Sequence, residues 1–238
     1  MSGKLYIVPT PVGNLSDMTP RAIEVLNKVS LILCEDTRTS APLLKHFGIT
    51  TPVSSHHKFN EHETVTPIID RIEGGEDIAL ISDAGTPGIS DPGFMLSREC
   101  RQRDIEVSTL PGPTAFVPAL VNSGLPCDRF NFEGFLPPKK GRMTRLTDIA
   151  SRDTTTIIYE SPLRIVKTLQ QLAEVCGPDR PASVSREISK VFETTVRGSL
   201  SQICDFFKKN TPKGELVLII GGQQDNTTKV HKNKYKDA

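Results

Sequence analysis

The chain has 238 residues, 37% hydrophobic and 24% charged, with a formal net charge of +1. That composition suits a soluble globular protein able to bury a substantial core, and it excludes a disordered chain; no apolar run approaches the roughly 20 residues that span a bilayer. The five cysteines (Cys34, Cys100, Cys127, Cys176 and Cys204) are scattered with no Cys-x-x-Cys pair, which argues against a disulfide framework or a zinc site and predicts buried, reduced thiols.

The first residues, Met-Ser-Gly-Lys-Leu-Tyr-Ile-Val, have too short an apolar run for a signal peptide and lead directly into a strand from Leu5 to Val8, so a cytoplasmic location is expected. A glycine and proline turn, Pro9 to Asn14, follows. Thr19-Pro20 then opens a helix with a cap and a proline at its first position, and Ile23, Val25, Leu26 and Val29 supply its apolar residues. The pattern continues with a strand from Leu31 to Cys34, a weaker one near Val53, and a helix from Asn60 or Thr64 through Ile72. A strand at Ile78 to Ile81, a helix from Asp91-Pro92 through Arg103 and a strand from Ile105 to Leu110 complete this half. Such βαβ order implies a mostly parallel sheet covered by helices, with ligands at the carboxyl ends of its strands.

Residues 82 to 93, Ser-Asp-Ala-Gly-Thr-Pro-Gly-Ile-Ser-Asp-Pro-Gly, follow the Ile78 strand. Gly85, Gly88 and Gly93 serve backbone shape, Pro87 and Pro92 stiffen the loop, and its length exceeds the roughly two to six residues of an ordinary strand-to-helix connection. A third turn, Leu110 to Ala115, opens a small-residue helix through Ser123. In a parallel sheet all three loops would leave one edge and converge.

Beyond this point Phe130, Phe132 and Phe135 alternate as in a strand, and Pro137-Pro138 leads into the basic residues Lys139, Lys140, Arg142 and Arg145. Strands are expected at Thr155 to Tyr159, Ala182 to Arg186, around Phe192 to Val196 and at Leu216 to Ile220, with helices from Pro162 to Val175 and Ser199 to Lys208. The chain therefore reads as two α/β domains with a boundary near residues 112 to 120: 1–116, 117–222, and a disordered basic tail, 223–238, carrying Lys229, Lys232, Lys234 and Lys236. No internal repeat is present.

The dinucleotide fingerprint, the phosphate-loop motif, Gly-x-Ser-x-Gly and His-Glu-x-x-His are all missing. No basic residue lies between Ser82 and Phe94, so the ligand part recognised there is not a phosphate chain. His56, His57 and His62 do not make a metal site: adjacent histidines on a strand face opposite ways, and no third spaced ligand accompanies them.

The segments Pro9-Thr10-Pro11-Val12-Gly13-Asn14-Leu15, Ser82 to Gly93 and Pro111-Gly112-Pro113-Thr114-Ala115 resemble the loops of the tetrapyrrole-methylase superfamily, the class III S-adenosylmethionine-dependent methyltransferases. Cys34-Glu35-Asp36-Thr37-Arg38-Thr39-Ser40, His56 to Glu61, Tyr159-Glu160-Ser161-Pro162-Leu163-Arg164-Ile165 and Ser185-Arg186-Glu187-Ile188 resemble the branch that methylates the ribose 2′-hydroxyl of a decoding-centre cytidine in small-subunit (16S) ribosomal RNA. The likeness runs from about Lys4 to Ile220.

It implies a tetrapyrrole-methylase fold of two α/β domains, a homodimer, and S-adenosylmethionine in the cleft between the domains. Cofactor contacts would fall at Val12, Gly13, Ala84, Gly85, Thr86, Ile89, Thr114 and Ala115, and on the other side at Tyr159, Ser185, Gly214 and Glu215. A sulfonium cofactor needs close main-chain contacts and few charges, which these residues offer. No metal is required, because positive sulfur already makes the methyl group electrophilic, and orientation alone is worth on the order of 7–11 kcal/mol. A ribose hydroxyl is a weak acid, so a base or polarising cation should help; the candidates are Asp36, Glu160, Glu187 and Lys190. Arg38, Arg164 and Arg186 would clamp RNA phosphates or bases, His57, Lys58 and Asn60 would donate to its backbone, Phe59 would stack on a base, and Lys139, Lys140 and Arg142 would add salt-sensitive contacts. Asp36 with Arg38, or Arg186 with Glu187, could instead be structural ion pairs. Two alternatives remain open: a methylase of a small tetrapyrrole-like substrate or a modified protein side chain, and a non-enzymatic RNA-binding module.

Overall fold

The computed structural model describes residues 2–223. The expected basic tail, apart from Gln223, lies outside the described residues.

In the first half, β1 (Leu5–Ile7), β2 (Leu31–Cys34), β3 (Val53–Ser55), β4 (Ile78–Leu80) and β5 (Val107–Thr109) form an all-parallel sheet in the order β3-β2-β4-β1-β5. Buried on both faces, β2 and β4 are continuous apolar runs, as a covered parallel sheet demands. One face is packed by α3 (Glu61–Glu73) and α4 (Phe94–Gln102), through Ile68, Ile69, Ile72 and Leu96. The other is packed by α1 (Pro20–Lys28) and α2 (Thr37–His46), through Ala22, Leu26 and Leu44. The Thr19 hydroxyl accepts from the Ala22 N–H at 3.2 Å and caps α1, as the Thr-Pro pair predicts.

The second sheet runs β6-β7-β10-β8-β9, built from β6 (Phe130–Phe135), β7 (Thr155–Glu160), β8 (Pro181–Arg186), β9 (Thr194–Ser199) and β10 (Leu216–Ile220). β6 and β7 are parallel, whereas β10 pairs antiparallel with both β7 and β8, and β8 with β9. Three helices, α6 (Arg142–Ser151), α7 (Ile165–Cys176) and α8 (Leu200–Lys209), cover one face through Leu146, Leu169 and Ile203. The opposite face takes α5 (Phe116–Ser123), whose Ala119 and Leu120 pack on Ile157, Val217 and Ile219. Ser199 and Gln202 form a reciprocal cap at the start of α8.

Several expectations need correction. The sequence pattern predicts neither α2 nor α6; α2 hides its helical pattern behind Thr37-Arg38-Thr39-Ser40 and Pro42, and only Ser40 and Leu44 are buried on it. α4 starts at Phe94 and not at Asp91-Pro92, because Gly93, at φ 125°, breaks the helical path. α7 starts at Ile165 after a turn, and β9 begins two residues later than expected. Cys127 is exposed and Cys176 half-buried, while Cys34, Cys100 and Cys204 are buried; all five are free thiols.

Candidate active site

β4, β1 and β5 are neighbours in the parallel sheet, so the loops leaving their carboxyl ends share one crevice. Hydrogen bonds tie these loops together. Thr10 and Gly85 exchange both backbone bonds at 2.9 Å, and the Thr10 hydroxyl donates to the Ser82 carbonyl at 2.9 Å. The Thr86 hydroxyl donates to the Pro113 carbonyl at 3.1 Å and lies 2.7 Å from the Thr114 hydroxyl. Gly85 sits at φ 84°, a conformation a side chain would oppose.

The crevice holds a cavity of about 360 Å³, closed on its far side by the second sheet and within the usual range for small-ligand sites. Val12, Ala84, Gly85, Thr86 and Ile89 border it, with Thr114 and Ala115. Tyr159, Gly214 and Glu215 border it from the second sheet. Gly13 and Ser185 lie off its wall. At Gly13 a Cβ would meet the Lys190 side chain at 2.3 Å, so this glycine permits a close approach between the first loop and the turn after β8. Ser185 is buried within β8, 2.9 Å from the Thr195 hydroxyl.

Sequence reasoning missed Asp83, Ser90, Asp91, Phe135, Ser161, Pro162, Leu216 and Val217 on this wall. Leu216 and Val217 are there because β10 runs antiparallel to β7: Leu216 pairs with Glu160, which brings the start of one strand beside the end of the other. Among the described residues, no lysine, arginine or histidine borders the cavity, whereas Asp83, Asp91, Glu160 and Glu215 do. Burial, reinforced by Glu35, Asp83 and Glu215, pushes the Asp91 carboxyl up to about 7. Burial likewise raises the Tyr159 phenol to about 12.

The four acid–base candidates are all engaged by partners. Asp36 accepts from the Arg38 N–H at 2.8 Å and from its guanidinium at 3.1 and 2.8 Å, and these bonds hold its carboxyl down at about 2. Side chains alternate along β7, so Tyr159 faces the cavity while the carboxylate of Glu160 turns to the helix side. There it takes the Thr168 hydroxyl at 2.6 Å, the Ser161 N–H at 2.7 Å and the Arg164 guanidinium at 2.8 Å. Glu187 accepts from the Glu215 N–H and from the Lys190 ammonium, both at 3.1 Å, and is held below its ordinary value by the two together. Lys190 also bridges to Glu215 at 3.1 Å; despite desolvation, the two carboxylates raise its ammonium.

The residues expected to meet RNA divide sharply. Arg38 has 90% of its side chain exposed, and Lys58, Phe59, Lys139 and Lys140 are exposed as well. Arg142 is not available to RNA: it is buried, donating to Gln171 at 2.8 Å, Thr168 at 2.7 Å and the Pro137 carbonyl at 3.2 Å, so its membership in the basic run is incidental. Asn60 is consumed locally, accepting from the His57 N–H at 2.7 Å and donating to the Ser55 carbonyl at 3.1 Å. The His57 Nδ1 accepts from the N–H groups of Phe59 and Asn60, so the pair locks a turn with Lys58 and Phe59 at its tip. Arg164 is tied to Glu160, and Arg186 donates to the Phe192 carbonyl at 3.1 Å. His56 is fully buried against Thr64 at 2.8 Å, and burial lowers its pKa. Its neighbour Glu61 caps α4 by accepting from the Gly93 and Met95 N–H groups at 3.1 and 3.2 Å. No group of potential metal ligands occurs among the described residues.

A sequence model of the family described as Tetrapyrrole (Corrin/Porphyrin) Methylases matches residues 4–204. A protein of Synechocystis named ribosomal RNA small subunit methyltransferase I is 48% identical over 221 residues, covering 92% of this chain and 79% of the relative. Its namesake in Pseudomonas aeruginosa is 46% identical over 226 residues, covering 94% and 80%. Two crystal structures share the fold at low identity. Cobalt precorrin-4 methyltransferase, a cobalamin biosynthetic enzyme, has a TM-score of 0.67 at 19% identity, with 92% and 94% of the chains covered. The Thermus thermophilus uroporphyrin-III C-methyltransferase has a TM-score of 0.63 at 18% identity, with the same coverage. This chain belongs to the tetrapyrrole methylase family and, within it, to the branch of the ribosomal RNA small subunit methyltransferases I.

Proposed function

We propose that the chain is an S-adenosylmethionine-dependent methyltransferase that methylates the ribose 2′-hydroxyl of a cytidine in the decoding centre of small-subunit ribosomal RNA. The observation that carries this reading is the cavity itself: three strand-end loops bound together, apolar and hydroxyl-bearing walls, the acidic residues Asp83, Asp91 and Glu215, and no cationic side chain on the wall among the described residues. Such a donor set fits a ligand that carries positive charge and no phosphate. Val12, Ile89, Leu216 and Val217 would pack on its apolar parts, Thr86 and Thr114 would offer hydroxyls, and the main chain at Ala84, Gly85 and Gly214 would approach closely. When bound, the cofactor supplies a methyl group made electrophilic by positive sulfur.

On the acceptor side, Arg38, Lys58 and Phe59 stand exposed just beyond the carboxyl ends of β2 and β3, the same sheet edge from which the cavity loops leave, and Lys139 and Lys140 are exposed on the second half. Arg forks suit phosphate oxygens and an exposed phenyl ring suits base stacking. We read 1–116 and 117–222 as two domains, supported by their separate sheets and cores. A homodimer is the expected assembly, since Val117 and Val121, one turn apart on α5, leave apolar surface for a second copy to cover. A cytoplasmic location accords with free thiols and an RNA substrate; no helix among the described residues is long and apolar enough to cross a membrane.

The experiment is incubation with labelled cofactor and, in parallel, unmodified small ribosomal subunits or a free tetrapyrrole. Label on a ribose 2′-oxygen of the subunit RNA supports the reading; label on the tetrapyrrole alone overturns it.

A further inference from the structure

We propose that Asp91 is the general base that takes the proton from the acceptor 2′-hydroxyl, a role that rests on the activity proposed above. Asp91 borders the cavity in the loop after β4, within electrostatic reach of Glu35 and Asp83. The acid–base candidates named from the sequence are all occupied. Asp36 is locked on Arg38, Glu160 is turned into the helix layer, and Glu187, Lys190 and Glu215 hold one another. Asp83 is exposed to water with the Asp36 N–H beside it, and the Tyr159 phenol is far too weak an acid to be ionised. Asp83 and Asp91 are the carboxylates on this wall with neither an ion pair nor a side-chain hydrogen bond among the described residues, and of the two only Asp91 is drawn partly out of water.

The backbone holds it there at a cost. Ser90 adopts φ 66°, a left-handed conformation unusual for a residue with a side chain, and its hydroxyl occupies the space where a Cβ on Gly134 would come within 2.7 Å. Strain of this kind, about 1–3 kcal/mol per residue, is retained where neighbouring structure over-determines it, and it clusters at functional sites. Burial, reinforced by the negative charges of Glu35, Asp83 and Glu215 and with no positive charge to offset them, brings the carboxyl close to neutrality, where a base is most effective. In the step, the 2′-O–H proton passes to a carboxylate oxygen of Asp91. The electron pair left on the ribose oxygen forms the new bond to the methyl carbon, the pair of the breaking carbon–sulfur bond goes to sulfur and neutralises it, and the proton later leaves Asp91 for water.

The test uses the full chain and assembled small subunits. Wild-type protein should protect one phosphodiester from alkali, the mark of a 2′-O-methyl group; failure would sink the activity and the assignment together, while success isolates Asp91. D91N should then lower the single-turnover rate by about 10²- to 10⁴-fold and remove the rise of rate with pH below neutrality, and D91E should restore part of both. Calorimetry supplies a readout apart from turnover: D91N should lose no more than about tenfold in S-adenosylmethionine affinity, the share of its charge in holding the cation, and far less than it loses in rate. Binding near neutral pH should release protons from wild type, because the cation lowers the Asp91 pKa, and should release none from D91N. A D91N rate and pH profile equal to wild type overturns the assignment. So does a rate loss matched by an equal loss of cofactor affinity, which would make Asp91 a binding residue.

Discussion

The hydroxyls of Thr86 and Thr114 stand 2.7 Å apart and join the loop after β4 to the loop after β5. Thr86 also donates to the Pro113 carbonyl, so one side chain fixes the spacing of two walls of the cavity. T86V keeps the shape and removes both bonds. At about 0.5–1.5 kcal/mol per hydrogen bond, the two losses should cost about 1–3 kcal/mol of stability and lower the melting temperature, and S-adenosylmethionine should bind more weakly as the loop junction loosens. Titration calorimetry beside a thermal melt checks this, and unchanged affinity would remove the loop junction from the account of binding.

Glu160 presents the opposite case, a site residue whose main work is structural. Its carboxylate is completely buried beside Arg142, also nearly buried, and supports the turn that starts α7. E160A leaves the Arg142 guanidinium without its charge partner in the core and should cost about 3–5 kcal/mol in chemical denaturation. E160Q retains an acceptor for Thr168 and should lose less. A stable E160A protein that is merely inactive would contradict this division of labour.

Much of the first sheet could be read directly, because Ile78-Ala79-Leu80-Ile81 and Leu31 to Cys34 are uninterrupted apolar runs bounded by turn residues, and the cofactor-side loops are local features of glycine and proline. What escaped was tertiary. Arg142 reads as one more cation in a basic run until α7 brings Thr168 and Gln171 to it. Leu216 and Val217 join the cavity only through the antiparallel register of β10 with β7. Asp91 was visible within the glycine loop, but its importance lies in the partners it lacks, and no spacing rule reports an absence. α2 does carry a local signal: Asp36 caps it by accepting from the Arg38 N–H, a role its residue type favours.

Asp91 also makes stability depend on pH in a definite direction. Its carboxyl titrates at about 7 in the fold against 3.8 without it, so between those values the folded chain holds a proton that the unfolded chain has released. Folding is therefore favoured on the acid side and loses stability as pH rises to about 7, beyond which the buried charge exerts its full penalty. D91N lacks that charge. It should be more stable than wild type near pH 8, on the order of 1 kcal/mol after solvent screening, and the gap should close as pH falls toward about 4. Urea denaturation of both proteins across this range decides it, and a gap that widens toward acid would reverse the sign assigned to the group.

Lys139, Lys140 and Arg142 look equivalent in the sequence, yet the fold separates them. The lysines are exposed ahead of α6, while Arg142 points into the layer between α6 and α7. If the lysines touch RNA phosphates, each releases counterions on binding, so K139A/K140A should reduce the salt slope of subunit-RNA affinity by about 0.7–0.9 per lysine. Its melting temperature should hold, because neither side chain is packed. R142A should behave in the reverse manner: it strips donors from Thr168, Gln171 and the Pro137 carbonyl and leaves Glu160 without its buried neighbour, so stability falls while the salt slope of any folded protein is unchanged. Affinity measured from about 50 to 200 mM salt, beside thermal melts, separates the two effects. A reduced slope for R142A would mean that its guanidinium leaves the core to meet RNA, and the basic run would then act as one surface.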